Sequence, residues 1–299
     1  DFTTSPEIAQ VFGELLGAWA AVAWHLLGAP ERISLVEVGP GRGTLMQDAL
    51  RCVGQVAPHF AAAANVHFVE TSRHLRAEQA RRVPGAVWHD ALRTLPEEPC
   101  ILLANEFLDA LPIRQFVRSN AGWAERFVRN GMFVERESVG PGLEAPPGSV
   151  VEISQAAHAW VGDLAQRLST QGGVALILDY GTAEGWPGES LQALRGGMPV
   201  HPLVDPGSAD LSAHVDFAAL SRTARAAGAA VWGPVTQGDF LRRLGLWQRT
   251  AALAAANPSR VEVLQEAANR LAAPDRMGHL FKAMCISQPG FPVPPGFER

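Results

Sequence analysis

Lysine is almost missing from this chain: 25 residues are basic, yet Lys282 is the only lysine and the rest are arginine. No block of like charges breaks the slight acidic excess, a formal charge of −5. That excludes a basic arm tracking nucleic acid and a basic helix lying on a membrane. Cysteine is equally sparse. Cys52, Cys100 and Cys285 are odd in number and far apart, which excludes a disulfide framework and leaves no pair at metal-ligand spacing, so no metal is expected. Reduced thiols in a cytosol-like compartment follow. Long uninterrupted apolar runs are also lacking. The nearest, Ile8 to Leu27, contains Gln10, Glu14 and His25 and has no basic residue ahead of it, so it predicts a core helix and not a membrane span. There is no internal repeat and no low-complexity tract. The chain opens at Asp1 and not at methionine; a cytoplasmic protein is expected, or a mitochondrial matrix one if a leader has been removed.

What is present is apolar substance: 47% of 299 residues, enough to bury the core of one elaborated α/β domain. Ser5-Pro6-Glu7 has the form of a helix start, with serine as N-cap, and Val11, Phe12, Leu15, Leu16 and Trp19 follow at helical spacing. Ile33 to Val38 reads as a strand leading into Gly39-Pro40-Gly41-Arg42-Gly43, and a helix carrying Leu45, Met46, Ala49, Leu50 and Val53 leaves it. Further strands are expected at Val66–Val69, Ala86–Trp88, Cys100–Ala104 and Val174–Leu178, with a last one at Leu280–Ile286. Strands alternating with helices imply a mostly parallel, doubly wound sheet. Ile113–Val117, Trp123–Val128 and Met132–Glu135 break that rhythm as antiparallel strands joined at Asn120-Ala121-Gly122 and Asn130-Gly131. The division predicted is a core over about 31–112, 172–237 and 277–290 within one domain spanning 1–299, a β insertion at about 113–150 and a helical insertion at about 238–272. Residues 184–210, rich in glycine and proline, are expected to be irregular.

In open α/β sheets ligands lie beyond the carboxyl ends of the strands, where strand order reverses. Gly39, Gly41 and Gly43 let backbone approach a ligand there, although a tight turn without a ligand would use them too. Glu70, ending the second strand, is placed to accept from ribose hydroxyls, as an acid does in dinucleotide-binding folds; the alternative is a solvated acid. Asp90, after the third strand, is a candidate acceptor from an adenine amino group. Glu37 precedes the glycines, where a carboxylate orients the methionine end of a cofactor or braces the turn. The glycine spacing is G-x-G-x-G, not the G-x-G-x-x-G of nicotinamide enzymes, which disfavours an oxidoreductase.

Several longer motifs go together. Asp1-Phe2-Thr3-Thr4-Ser5-Pro6-Glu7, Glu37-Val38-Gly39-Pro40-Gly41-Arg42-Gly43-Thr44-Leu45-Met46, Asn105-Glu106-Phe107-Leu108-Asp109-Ala110-Leu111-Pro112 and Asp210-Leu211-Ser212-Ala213-His214-Val215-Asp216-Phe217 resemble the MidA family of methyltransferases, which includes mitochondrial complex I assembly factors. The resemblance reaches Met277-Gly278-His279-Leu280-Phe281-Lys282 and so covers essentially the whole chain. It implies a class I, Rossmann-like methyltransferase fold with a seven-stranded sheet, S-adenosyl-L-methionine as cofactor, and arginine in a partner protein as the methyl acceptor, in a respiratory complex I subunit or its bacterial counterpart. The segment Arg195 to His201 departs from the family pattern.

A guanidinium is cationic and has a very high pKa, so a site that methylates it needs carboxylates to grip its fork. Glu106 and Asp109, just past the fourth strand, are the candidates, with Asn105 beside them fixing the loop or accepting from the substrate and counted with the cofactor-binding residues; turn-capping for Asp109 and solvation for Glu106 are the alternatives. Phe107 reads as packing. His214 and Asp216 suggest a histidine base held by an acid, but Asp216 fits better as the N-cap of a helix through Phe217 and Leu220. Asp179 and Tyr180, the only tyrosine, end the fifth strand on the same side. A competing function is an assembly chaperone that keeps the cofactor pocket and binds a partner subunit without turnover.

Overall fold

The computed structural model describes residues 4–185 and 188–298, so the first residues of the Asp1–Glu7 motif lie outside the described residues. The first apolar stretch is not one helix. α1 (Ser5–Ile8) and α2 (Gln10–Leu26) are separated by Ala9, whose backbone is extended at φ −153° and ψ 128°. Ser5 is also not the N-cap. Thr4 flanks the helix without a side-chain cap, and Ser5 is the first helical residue, its N–H spent on Glu106. α2 lies against α3 (Thr44–Val56) so closely that a Cβ on Gly17 would stand 2.7 Å from the Ala49 carbonyl oxygen. Buried Glu14 accepts from Arg51 of α3 and from Arg249 farther along the chain.

β1 (Ile33–Val38) is buried along its whole length. Ile33 and Leu35 join one apolar core, Val36 and Val38 the other, and a strand covered on both faces reads in sequence as an unbroken apolar run. β2 (Ala64–Val69), β3 (Val87–His89) and β4 (Cys100–Asn105) pair in parallel around it. A separate antiparallel sheet follows, made of β5 (Arg114–Arg118), β6 (Trp123–Arg129), β7 (Met132–Ser138) and β8 (Val150–Ile153) in the order β7-β6-β5-β8. Asn130 and Gly131 both take positive φ at the hairpin between β6 and β7, as a two-residue turn requires; the fourth strand, β8, was not foreseen. β9 (Gly173–Thr182) returns to the main sheet beside β4. Residues 184–210 are less irregular than expected: β10 (Gln192–Arg195) and β11 (Met198–Val200) pair there, and β12 (Asp210–Ser212) completes a small antiparallel sheet. β13 (Val215–Asp216) pairs with the end of β9, and β14 (Ala230–Thr236) and β15 (Phe281–Ser287) close the main sheet.

The main path runs β3-β2-β1-β4-β9-β15-β14, with β15 antiparallel to both neighbours. Strand order reverses at β1, with β2 on one side and β4 on the other, which sets the ligand crevice at their carboxyl ends. α4 (Pro58–Ala63) and α5 (Arg73–Arg82) flank the β1–β3 half, and α6 (Gln155–Gln171) packs on α7 (Phe217–Ala226). The helical segment holds α8 (Gln237–Arg243), α9 (Leu246–Ala256) and α10 (Val261–Ala272), and α11 (Met277–Leu280) leads into β15. Among the described residues no helix is long and apolar enough to cross a membrane.

Candidate active site

The glycine loop leaves β1 with Gly39, Gly41 and Gly43 at φ 61°, 51° and 81°, values that a side chain would strain. Gln79 of α5, fully buried, holds the loop from outside. Its Nε2 donates to the Gly41 carbonyl at 2.7 Å and to Glu70 Oε2 at 3.3 Å, while its Oε1 accepts from Trp88 Nε1 at 2.7 Å. Glu70 Oε1 accepts from the Ser72 N–H at 2.7 Å. Arg76 donates to the Glu70 and His89 carbonyls and to Asp90 Oδ1 at 2.6 Å.

Two cavities meet at Gly39. One, about 390 Å³, is lined by Glu70, Asp90, Phe107 and Trp160. The other, about 510 Å³, is lined by Glu37, Gly41, Arg42, Asn105, Glu106 and Asp109, with Thr4, Pro6 and Glu7 as a wall. Phe107 contributes to the first cavity as well as packing on Trp160 at 5.1 Å between centroids. Gly43 takes the position before α3 and does not line either cavity.

Glu37 is 3% exposed, and burial pushes its carboxyl up to about 8 although the Met46 N–H donates to it. Its Oε2 and the Asn105 Oδ1 are buried without a hydrogen-bond partner. Orphaned acceptors at a cleft call for a donor from outside the chain. S-adenosyl-L-methionine fits: it carries an ammonium and a sulfonium, and the cleft offers carboxylates with Arg42, already 3.6 Å from Glu7, as its basic side chain. A dinucleotide's diphosphate would meet the wrong charge.

Three carboxylates cluster at the ends of β4 and β9. Asp179 is fully buried, and one of its oxygens, Oδ2, accepts from the N–H groups of Phe107, Leu108 and Asp109 at 3.1, 2.7 and 3.3 Å. Burial and the neighbouring Asp109 push its carboxyl well above the usual range. Asp109 is pushed up to about 7 by burial and then by the charge of Glu106. Glu106, in left-handed backbone at φ 51°, is raised by burial while its Oε1 accepts from the Ser5 N–H at 2.8 Å and Asn105 Nδ2 at 3.1 Å. Among the described residues no arginine or lysine pairs with Glu106 or Asp109.

His214 is not gathered into this cleft. It lines a third cavity of about 230 Å³ with His158 and Asp216, and its ring stands edge-on to Tyr180 at 4.1 Å. Asp216 accepts from the Ala219 N–H at 2.8 Å as the cap of α7. The residues missed in the sequence are Gln79, Arg76 and Ser5, because nothing local marks a glutamine or arginine on a polar helix as the partner of a loop distant in sequence. No group of His, Cys, Asp and Glu suited to a metal occurs among the described residues.

A parallel sheet inverted only at β15, with its glycine loop at the order reversal and acids ending the adjoining strands, is the class I S-adenosylmethionine-dependent methyltransferase architecture. Residues 15–235 match a family model described as "Putative S-adenosyl-L-methionine-dependent methyltransferase". The Drosophila melanogaster protein arginine methyltransferase NDUFAF7 homolog, mitochondrial, is 34% identical over 96% of this chain and 74% of its own. The human protein arginine methyltransferase NDUFAF7, mitochondrial, is 33% identical over 96% and 73%. A crystal structure of a Burkholderia thailandensis protein bound to S-adenosylhomocysteine matches with a TM-score of 0.84 and 27% identity, covering 100% of this chain and 80% of that one. The chain belongs to this S-adenosylmethionine-dependent methyltransferase family.

Proposed function

We propose that this methyltransferase acts on an arginine side chain of a partner protein, gripped by Glu106 and Asp109. One observation carries the reading: the two carboxylates open on the same cleft as Glu37 and the glycine loop, and among the described residues no arginine or lysine pairs with either. Two half-buried acids left together are costly unless a cation joins them, and a guanidinium supplies both charge and a matching fork. The names of the mitochondrial relatives support arginine as the acceptor, and the family resemblance points to a complex I subunit or its bacterial counterpart.

The division of labour follows from position. Glu37 and Asn105 would hold the cofactor's ammonium through their orphaned oxygens, the loop N–H groups its carboxylate, Glu70 its ribose and Asp90 its adenine, with Phe107 as a wall. When bound, S-adenosylmethionine supplies an electrophilic methyl, whose bond to sulfur breaks as the bond to nitrogen forms. Glu106 orients the guanidinium, and Asp109, with its carboxyl near neutrality, takes the proton that the attacked nitrogen loses. We assign His214 no catalytic part. We read 1–299 as one domain whose β and helical insertions face the partner, in a reducing compartment, the cytoplasm before the mitochondrial matrix.

Proteome-wide mass spectrometry of arginine methylation tests this, comparing cells without the gene, cells with it, and cells carrying Glu106→Gln. The expected result is a mark lost on deletion and restored by the unaltered chain alone, while calorimetry finds cofactor binding by Glu106→Gln intact. Restoration of the mark by Glu106→Gln, or no mark lost on deletion, sinks the reading.

A further inference from the structure

Glu106 is fixed from two directions. From below, its N–H donates to the Leu178 carbonyl at 2.9 Å, and the N–H groups of the next residues converge on Asp179. That pins a left-handed backbone, rare for a residue with a side chain, but leaves the side chain with only the longer hydrogen bond from Asn105 Nδ2, 3.1 Å from Oε1, to hold it on that side. From above, the segment opening α1 reaches over the cleft. Its Ser5 N–H meets Glu106 Oε1 at 2.8 Å, across 101 positions of sequence. Two features hold that segment in place: Ser5 is buried at 0% exposure, and Glu7 stands 3.6 Å from Arg42 in the glycine loop. The extended backbone of Ala9 turns α1 out of line with α2, which is what lets it reach there.

We propose that Ser5 is the positioning residue of the acceptor site, its main-chain N–H selecting the rotamer in which the other oxygen of Glu106 faces the incoming guanidinium. This rests on the reading of Glu106 as the acceptor-binding carboxylate. A carboxylate that rotates loses the alignment on which in-line transfer depends, and small misplacements of reacting groups cost about 100-fold in rate. The same N–H favours the ionised carboxylate against the burial that opposes it.

A main-chain donor can be removed here without disturbing the backbone, although the proline Cδ then stands where the hydrogen pointed and Glu106 Oε1, 2.8 Å from that nitrogen, must turn away. Thr4 already has φ −72° and ψ 160°, the conformation required before proline, and the first position of a helix accepts proline. Ser5→Pro therefore deletes the N–H, and Ser5→Ala, which keeps it, controls for loss of the hydroxyl.

The test follows transfer of labelled methyl from S-adenosylmethionine to an extract of cells lacking the gene. The expected result is that Ser5→Pro is slowed about tenfold or more with an unchanged half-saturating cofactor concentration, while Ser5→Ala, which retains the main-chain N–H, is slowed much less. The rate–pH profile of Ser5→Pro should also move to higher pH than that of Ser5→Ala, in which Glu7, Asp109 and Asp179 still face the carboxylate. Equal rates and profiles for the two variants overturn the proposal. So does a slow Ser5→Pro whose cofactor binding has fallen in step, since that marks a structural role. If Ser5→Pro does not fold, the amide resonance of Ser5 in the unaltered protein decides: it should move with the ionisation of a carboxyl group and stop moving in Glu106→Gln, and a resonance indifferent to pH overturns the proposal. An active Glu106→Gln would sink the acceptor reading itself, whereas an inactive Glu106→Gln beside a fully active Ser5→Pro sinks only the role of Ser5.

Discussion

Asp179 Oδ2 accepts the main-chain N–H of Leu108 at 2.7 Å, so a fully buried acid at the end of β9 holds the loop that follows β4. The loop that carries Glu106 and Asp109 is thus shaped by a residue about 70 positions away. Asp179→Ala would strand the N–H groups of Phe107, Leu108, Asp109 and Tyr180. A loss of about 2–4 kcal/mol is expected in denaturant unfolding, together with loss of methyl transfer. Asp179→Asn, which turns an NH2 group toward one set of these donors, should cost about 1–3 kcal/mol.

Asp109 gives a pH signature. Its folded carboxyl sits at about 7, above the unfolded value of about 3.9, so the native state binds that proton more tightly. The stability it contributes is complete below about pH 4 and is lost as pH rises through about 7. Asp109→Asn should therefore raise the melting temperature at about pH 8 and leave it unchanged at about pH 4. In the unaltered enzyme the rate of transfer should climb through neutrality as this carboxyl ionises.

Glu37 should couple cofactor binding to proton release. With its carboxyl at about 8 it is protonated at neutral pH in the free protein, and the cofactor's ammonium favours the ionised form. Calorimetry near pH 7 in buffers of different ionisation enthalpy should record a proton released on binding, with affinity rising up to about pH 8. Glu37→Gln should abolish the release and weaken binding about 10- to 100-fold. Proton release that persists in Glu37→Gln would assign it to another group.

Gln79 should matter to the cofactor without touching it. Gln79→Met keeps the volume but leaves the Gly41 carbonyl, Glu70 Oε2 and Trp88 Nε1 without this partner, at about 1–3 kcal/mol in stability. Because it releases the glycine loop and Glu70 together, cofactor affinity should fall about tenfold. Unchanged affinity in a folded variant would mean that the loop holds its own shape.

The alternation of apolar strands and amphipathic helices already contained the parallel sheet, the Asn130-Gly131 hairpin and the cap at Asp216, since each rests on short-range periodicity or on one residue's backbone preference. Residues 184–210 were less legible: short strands β10, β11 and β12 rely on partners for their pairing and have little periodicity of their own. The break at Ala9 was hidden because helical spacing runs through it.

By itself the sequence determined that a glycine turn follows a buried strand, that acids end the neighbouring strands, and that arginine supplies nearly all the positive charge. Local sterics and side-chain period are sufficient for those. Only the tertiary structure decided that Glu37 and Asn105 would share a cleft with Glu106 and Asp109, that His214 would turn to another cavity, and that Ser5, Gln79 and Asp179 would hold the pieces in register. Those contacts join residues tens to more than a hundred positions apart, and a chain acquires them only when burying its apolar faces brings distant polar groups together and obliges them to pair.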